Sequence, residues 1–419
     1  MNMSVTRTLA GGAISLMALA FGANFSMAAD CGIQGAGSVR ILSNDFEALR
    51  VVDDAAAACA TDKVTVKANA TAEHKNIQGP ALSANPAEYT VAMVANNSIV
   101  PLLNGGLIRP LDELVAKYGS SLKPNQLIKI DGKVMAIAFM GNGQHLFYRK
   151  DILAKAGLEV PKSYEDVLAD AKIIKDKGLM DYPLAASDKP GWDLAAEFVN
   201  MYLGTGGEFF ANGKADLAID NANGRKVLET MRAMTKFMKP EYLTYDANEL
   251  NKVWDSGSVA LMNQWGSLAG AAVDTAKANP DVAKNTGFAA APTINGGKLP
   301  AAALWWDGFT IAKNISDDDA AVSFQAMVHG ISPEIIAAHA GAATWLVAGY
   351  TPGPAAVGVI GNAQGGARAY PMQPYMGLLH TALSTELADF IAGKQDADAA
   401  LAKVKASYET AAKAGGFLK

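Results

Sequence analysis

The sequence predicts an α/β protein, and three observations lead there. Short apolar runs of strand length alternate with helix-patterned segments from Val39 onward. Half of the residues are hydrophobic and 18% are charged, which suits a large packed core. The length of 419 residues sets an expectation of two or three domains. Strands that alternate with helices imply a parallel sheet, and such sheets take ligands at the carboxyl ends of their strands.

The N-terminus reads as a targeting segment. Arg7 supplies a positive charge, Leu9 to Phe21 is apolar, and Ser26-Met27-Ala28 ends the stretch with small residues at the −3 and −1 sites. Residues 1–28 are therefore expected to be a signal peptide cleaved after Ala28, leaving an exported, soluble chain. The apolar run is too short to span a bilayer. Asp30 precedes Cys31 where a lipidation signal requires a small residue, so lipidation is not expected. Cys31 and Cys59 are the two cysteines. In an exported protein an even count suggests a disulfide, here pinning the mature N-terminus to the end of the first helix; two free thiols are the alternative. The net charge of −5 and the lack of a Lys/Arg block argue against nucleic acid as a partner.

Val39 to Ser43 reads as the first strand, followed by Asn44-Asp45-Phe46 and a helix to Cys59. Lys63 to Ala68 alternates as a second strand, followed by Thr71-Ala72-Glu73-His74. Tyr89 to Val94 is the third, ending in Asn96-Asn97. These three loop sets are candidate ligand edges. Leu111, Leu114, Val115 and Tyr118 share one helical face that Gly119 stops. Val134 to Phe139 is an apolar strand, Gly141-Asn142-Gly143-Gln144 breaks it, and His145 to Tyr148 begins a second run. Asp151 is placed to cap a helix that Gly157 ends. Ser163 and Asp166 stand at capping-box spacing before a helix that Gly178 stops.

The order of parts from Lys133 to Gly178 resembles the crossover between lobes in extracellular sugar-binding proteins of ABC transporters. The resemblance rests on Phe147-Tyr148-Arg149-Lys150, Ala156-Gly157-Leu158, Pro161 and Ser163-Tyr164-Glu165-Asp166, with Arg149 where asparagine is usual. Gly105 to Glu113, Trp254 to Met262, Phe288 to Pro292 and Leu304 to Ala312 resemble later family segments, with Ala302-Ala303 where glycines are usual. The resemblance implies a two-lobed periplasmic-binding-protein fold of type II. Each lobe would be a sheet flanked by helices, and the lobes, discontinuous in sequence, would be joined by a hinge. It places residues 29–140 and 292–331 in an N-terminal lobe and 141–291 and 332–419 in a C-terminal lobe. It also implies a monomeric periplasmic component of an importer, which binds a sugar or polyol between the lobes and docks on the ABC permease subunits.

Catalytic and metal patterns are missing from the sequence. The five histidines are scattered, with no HExxH or paired-His spacing, and GxSxG is absent. No enzyme activity, cofactor or metal is expected. What the sequence offers instead is aromatic residues beside planar polar groups at loop edges. These are Trp192-Asp193, Gln264-Trp265, Trp305-Trp306-Asp307 and Tyr370. Sugar C–H faces pack on rings, and sugar hydroxyls need fixed donors and acceptors. With the resemblance, the candidate ligand residues are Asn44, Asp45, Glu73, Asn96, Asn142, Gln144, Trp192, Asp193, Trp265, Trp305, Trp306, Asp307 and Tyr370. The plain alternatives are core tryptophans, a turn asparagine at 142 and a structural Asp307. If Trp305 to Asp307 is a strand, Trp305 and Asp307 share a side and Trp306 faces the other. A polyamine or organic-anion ligand on the same fold, or an exported carbohydrate-active enzyme with two converging carboxylates, are the competing functions.

Overall fold

The computed structural model describes residues 31–419, so the expected signal segment 1–28 lies outside the described residues. The strands in chain order are β1 (Gly37–Ser43), β2 (Val64–Ala70), β3 (Val91–Ala95), β4 (Leu127–Ile130), β5 (Lys133–Asn142) and β6 (Gln144–Arg149). They continue with β7 (Leu184–Ala185), β8 (Leu261–Trp265), β9 (Thr286–Ala289), β10 (Ala303–Ile311), β11 (Thr344–Trp345) and β12 (Arg368–Ala369). They form two sheets, each flanked by helices. The first runs β11-β5-β10-β3-β1-β2, with β4 on β5 and β12 on β10; the second runs β7-β8-β6-β9.

The parallel expectation holds for β1, β2 and β3 and again where β7 pairs β8 and β12 pairs β10; the other pairings are antiparallel. β10 is antiparallel to both β3 and β5. β4 and β5 are joined by Asp131-Gly132, both at positive φ, a tight turn that makes their pairing antiparallel. Alternation then sets the burial: Val91 and Met93 face one core of the first sheet, Ala92 and Val94 the other. Gly308 sits where β10 shifts register against β5, and a Cβ there would lie 2.3 Å from the Ile137 carbonyl oxygen. Only glycine permits that approach.

Local signals in the crossover region behave as their chemistry dictates. Ser163 accepts a hydrogen bond from the Asp166 amide, and the Asp166 carboxylate accepts in return from the Ser163 amide. Asp151 does not cap its helix. Its carboxylate takes two 2.8 Å bonds from Arg149, whose guanidinium also reaches the Gly257 carbonyl. The asparagine-to-arginine departure thus supplies a bidentate ion pair at the end of β6.

The break expected at residues 141–144 narrows to Gly143 alone: β5 runs on through Asn142 in the first sheet and β6 starts at Gln144 in the second. The other two crossings differ from 292 and 331. Ile294 and Ala301 are buried in the second core and Thr293 bonds the Tyr164 amide, so the return to the first sheet comes at Ala303. Thr344 and Trp345 pair with β5 and Val347 lies in the first core, whereas Ala355 packs in the second, so the last crossing falls at 351–354. The cause is pairing: β5 has a free edge that β11 fills.

Three buried amides tie the crossings together. Asn362 donates to the Gln144 carbonyl at 2.8 Å and accepts from the Ala291 amide at 2.7 Å. Asn200 accepts from the Ala303 amide and donates to the Gln144 side chain, both at 2.8 Å. Gln144 donates to Glu197 at 2.8 Å. Burial, and secondarily the charge of Asp188, push the Glu197 carboxyl up to about 8. Among the described residues no helix is long and apolar enough to cross a membrane.

Candidate ligand cleft between the two sheets

A cavity of about 270 Å³ lies between the two cores. Strand ends build one wall: Asn44 and Asp45 after β1, His74 and Lys75 after β2, Ala95 and Asn97 at the end of β3. The crossover strands supply Asn142 from β5 and Trp305 and Asp307 from β10. The other wall comes from the second sheet's side, with Trp192 and Asp193 at the start of helix Trp192–Gly204, Asn248, Trp265 at the end of β8 and Ser267 just beyond it.

Three indoles meet in the cavity. The Trp192 ring lies 5.9 Å from Trp265 and 6.0 Å from Trp305, and Trp265 meets Trp305 edge-on at 5.9 Å. Behind them Tyr370 stacks on Trp305, and His380 stacks on Trp192 at 5.0 Å while bonding the Tyr370 hydroxyl and the Trp192 carbonyl. Burial holds the His380 imidazole down near 4, so it is neutral at ordinary pH.

Two carboxyls face the same space. Burial pushes Asp307 up to about 7, against the pull of Lys75. Asp193 is pushed up to about 6, chiefly by burial and then by Asp246, with Lys189 and Lys75 opposing. Burial lowers the Lys75 ammonium, while Asp307 and Asp193 act to raise it. The lysine remains open to water yet stands deep between the walls, its Nζ 4.8 Å from the Trp192 ring centroid. Three buried polar atoms on cavity residues lack partners, the donor Trp305 Nε1, the acceptor Asn97 Oδ1 and His74 Nδ1, and none of the three is open to solvent.

The structure brings together Asn44, Asp45, Asn142, Trp192, Asp193, Trp265, Trp305 and Asp307 of the expected set. Two of these are partly committed elsewhere. Asp45 pairs with Arg50 of the helix Glu47–Ala57 that follows it, and Asn142 accepts from the amides of Gly143 and Ser267. The other five expected residues do not line the cavity. Glu73 turns onto Asn76 at the start of its helix, which leaves the cavity to His74 and Lys75. Asn96 is buried and receives the Trp306 amide at 2.8 Å, a strand clamp; its neighbour Asn97 takes the wall. Gln144 is consumed by the crossing network. Trp306 packs against the far face of the first sheet, as the strand's alternation requires. Tyr370 backs the cavity from behind Trp305. The Cys31–Cys59 disulfide is formed, with Cys59 just beyond helix Glu47–Ala57.

Sequence reasoning missed Lys75, Asn97, Asn248 and Ser267. Lys75 and Asn97 were reachable, since each adjoins a residue already placed at a strand's carboxyl end. Asn248 and Ser267 carry no local signal, because only the apposition of the two sheets brings them here.

The sequence model described as bacterial extracellular solute-binding protein matches residues 55–328. A curated relative from Deinococcus radiodurans, named "Probable ABC transporter-binding protein", is 24% identical over 213 residues, 49% of this chain. The chain spans about half the length of that relative, 48%. A solved solute-binding protein of an ABC transporter from Agrobacterium radiobacter K84, in complex with ribitol, superposes with a TM-score of 0.77 at 20% identity, covering 90% of this chain and 99% of that one. Another from Agrobacterium vitis S4, with bound D-mannitol, gives 0.73 at 20% identity, covering 91% and 100%. At these identities the likeness is one of fold.

Proposed function

The chain belongs to the bacterial extracellular solute-binding protein family, and from that premise we propose that it binds a small neutral polyol or monosaccharide in the cleft and delivers it to the permease of an ABC importer. The observation that carries this reading is the meeting of three indoles with the Asp193 and Asp307 carboxyls around one cavity. A hydroxyl both donates and accepts, so a polyhydroxylated ligand bonds the carboxyl oxygens and the asparagine amides of the lining at once. The three indoles supply faces for its C–H groups. The volume of about 270 Å³ stands at the small end of ligand sites, which favours one sugar ring or one short polyol chain over an oligosaccharide. The ribitol and D-mannitol carried by the two fold neighbours support that class.

In this reading the protein works as a monomer in the periplasm and performs binding without chemistry. The lobes close about Gly143, Ala303 and 351–354, and the ligand favours closure by contacting both walls at once. Thermal shift against ribitol, D-mannitol, monosaccharides and maltose tests it. A ligand at 100 times its Kd adds about 2.7 kcal/mol, so a clear rise in Tm with a small polyol or monosaccharide is expected. A flat response across the whole set overturns the reading. Recovery of chemically altered sugar after incubation overturns the non-enzymatic part.

A further inference from the structure

We propose that Lys75 is a built-in cation occupying an aromatic–carboxylate cage, and that it is the residue that restricts the cleft to uncharged ligands. The inference deepens the function proposed above and rests on the cavity being the ligand site.

Three indoles within about 6 Å of one another, with two carboxyls beside them, are what recognition of a quaternary ammonium group calls for. A cavity with only those groups would attract amines. Here a cation already stands in it, and it belongs to the protein. Lys75 Nζ lies 4.8 Å from the Trp192 ring centroid, across the cleft from its own helix. Among the described residues that ring is its only close partner. Asp307 and Asp193 act on it through space, with no carboxylate at ion-pair distance. The ammonium therefore neutralises the field of the acids without sealing them, and their oxygens remain available as acceptors for hydroxyls.

Its position costs the fold something. Lys75 is the second residue of helix His74–Ser83, whose first turn has no acidic residue, so the charge sits at the positive end of the helix dipole. A lysine held there against the dipole, with its ammonium over a ring of the opposite lobe, fits a role in the cleft better than a role in the helix. A ligand cation would meet the repulsion of the Lys75 ammonium over the Trp192 ring; a neutral polyol meets no such repulsion.

The test is calorimetric titration of the mature protein, Lys75→Met and Lys75→Arg with choline chloride and, separately, with ribitol and D-mannitol. Lys75→Met keeps the length and apolar stem while removing the charge. Choline binding is expected to appear in Lys75→Met at least about tenfold more tightly than in the wild type, and to stay absent in Lys75→Arg. Adding Trp192→Ala to Lys75→Met should abolish the gained binding, which places it in the cage. A Lys75→Met protein with native circular dichroism that binds choline no better than wild type overturns the proposal, as does a wild type that already binds choline equally well. The polyol arm reads the function itself: failure of every neutral ligand with choline gained would overturn the polyol reading and leave the lysine's role standing.

Discussion

Trp305 and Tyr370 stack with ring centroids 4.1 Å apart, and Tyr370 is fully enclosed. The contact fixes the Trp305 indole from behind, leaving its other side to the cavity. A rigid aromatic plane loses little entropy when a ligand settles on it, which is why a backed ring is a better platform than a free one. Tyr370 is thus a support for the site, at one remove from the ligand.

The two adjacent tryptophans of β10 should separate into different phenotypes. Trp305→Ala is expected to lose affinity for the ligand found by thermal shift, by about 2 kcal/mol or more. Trp306→Ala, half-buried on the far side, should lower stability by about 1–3 kcal/mol with affinity retained. Denaturant unfolding and calorimetry on both variants decide it. Loss of binding at native stability in Trp306→Ala contradicts the assignment.

Trp192 touches Trp265, Trp305, His380 and Lys75, and joins both walls. Trp192→Ala should weaken binding by about 2 kcal/mol or more while circular dichroism stays native. Wild-type affinity in the folded variant would take Trp192 out of the site.

Stability should fall between pH 6.5 and pH 8. The unfolded chain ionises Glu197 near 4.5 and the folded chain only near 8, so this group's favourable contribution is complete below 4.5 and is lost as pH rises through that interval. Asp188 and Asp307, held near 7 by burial, act in the same sense. His74, His145 and His380, lowered to about 4, act oppositely, but only as pH falls below 6.5. Glu197→Gln keeps an acceptor for Gln144 and removes the titration. Its Tm should decline less than the wild type's from pH 6.5 to 8, and parallel curves would refute the assignment.

The Cys31–Cys59 bridge closes a separation of 28 residues, for which chain entropy gives about 3–4 kcal/mol. Replacing both cysteines with serine should cost that order of stability by denaturant unfolding, and mass should rise by two protons on reduction of the wild type. An unchanged midpoint would show that the bridge holds nothing.

The α/β class, the first three strands and the Ser163/Asp166 capping box were legible because each rests on residues within a few positions of one another. Ser163 and Asp166 needed nothing beyond their own turn. The pairings of β5, β10 and β11 were not legible, because register between distant strands is decided by edges that become free only in three dimensions. The same limit governs the site. Trp305 and Asp307 follow from alternation, whereas choosing Lys75 over Glu73, or Asn97 over Asn96, depends on how a chain turns after its strand. Gln144 failed as a ligand residue for a related reason: a buried amide beside a crossing is drawn into the backbone groups that the crossing exposes.

The position of β10 also bears on the order in which the protein can be assembled during synthesis. The four strands of the second sheet are complete once Ala289 has been made. The first sheet, although it contains the N-terminal strands, lacks the strand that joins β3 to β5 until Ala303–Ile311 emerges, and its edge until Trp345. The second sheet is therefore complete before the first, although the core around it still waits for the C-terminal helices Met376–Ile391 and Ala397–Ala414. The early strands of the first sheet wait with exposed edges while the second sheet is already paired, an interval in which a nascent chain is open to mispairing.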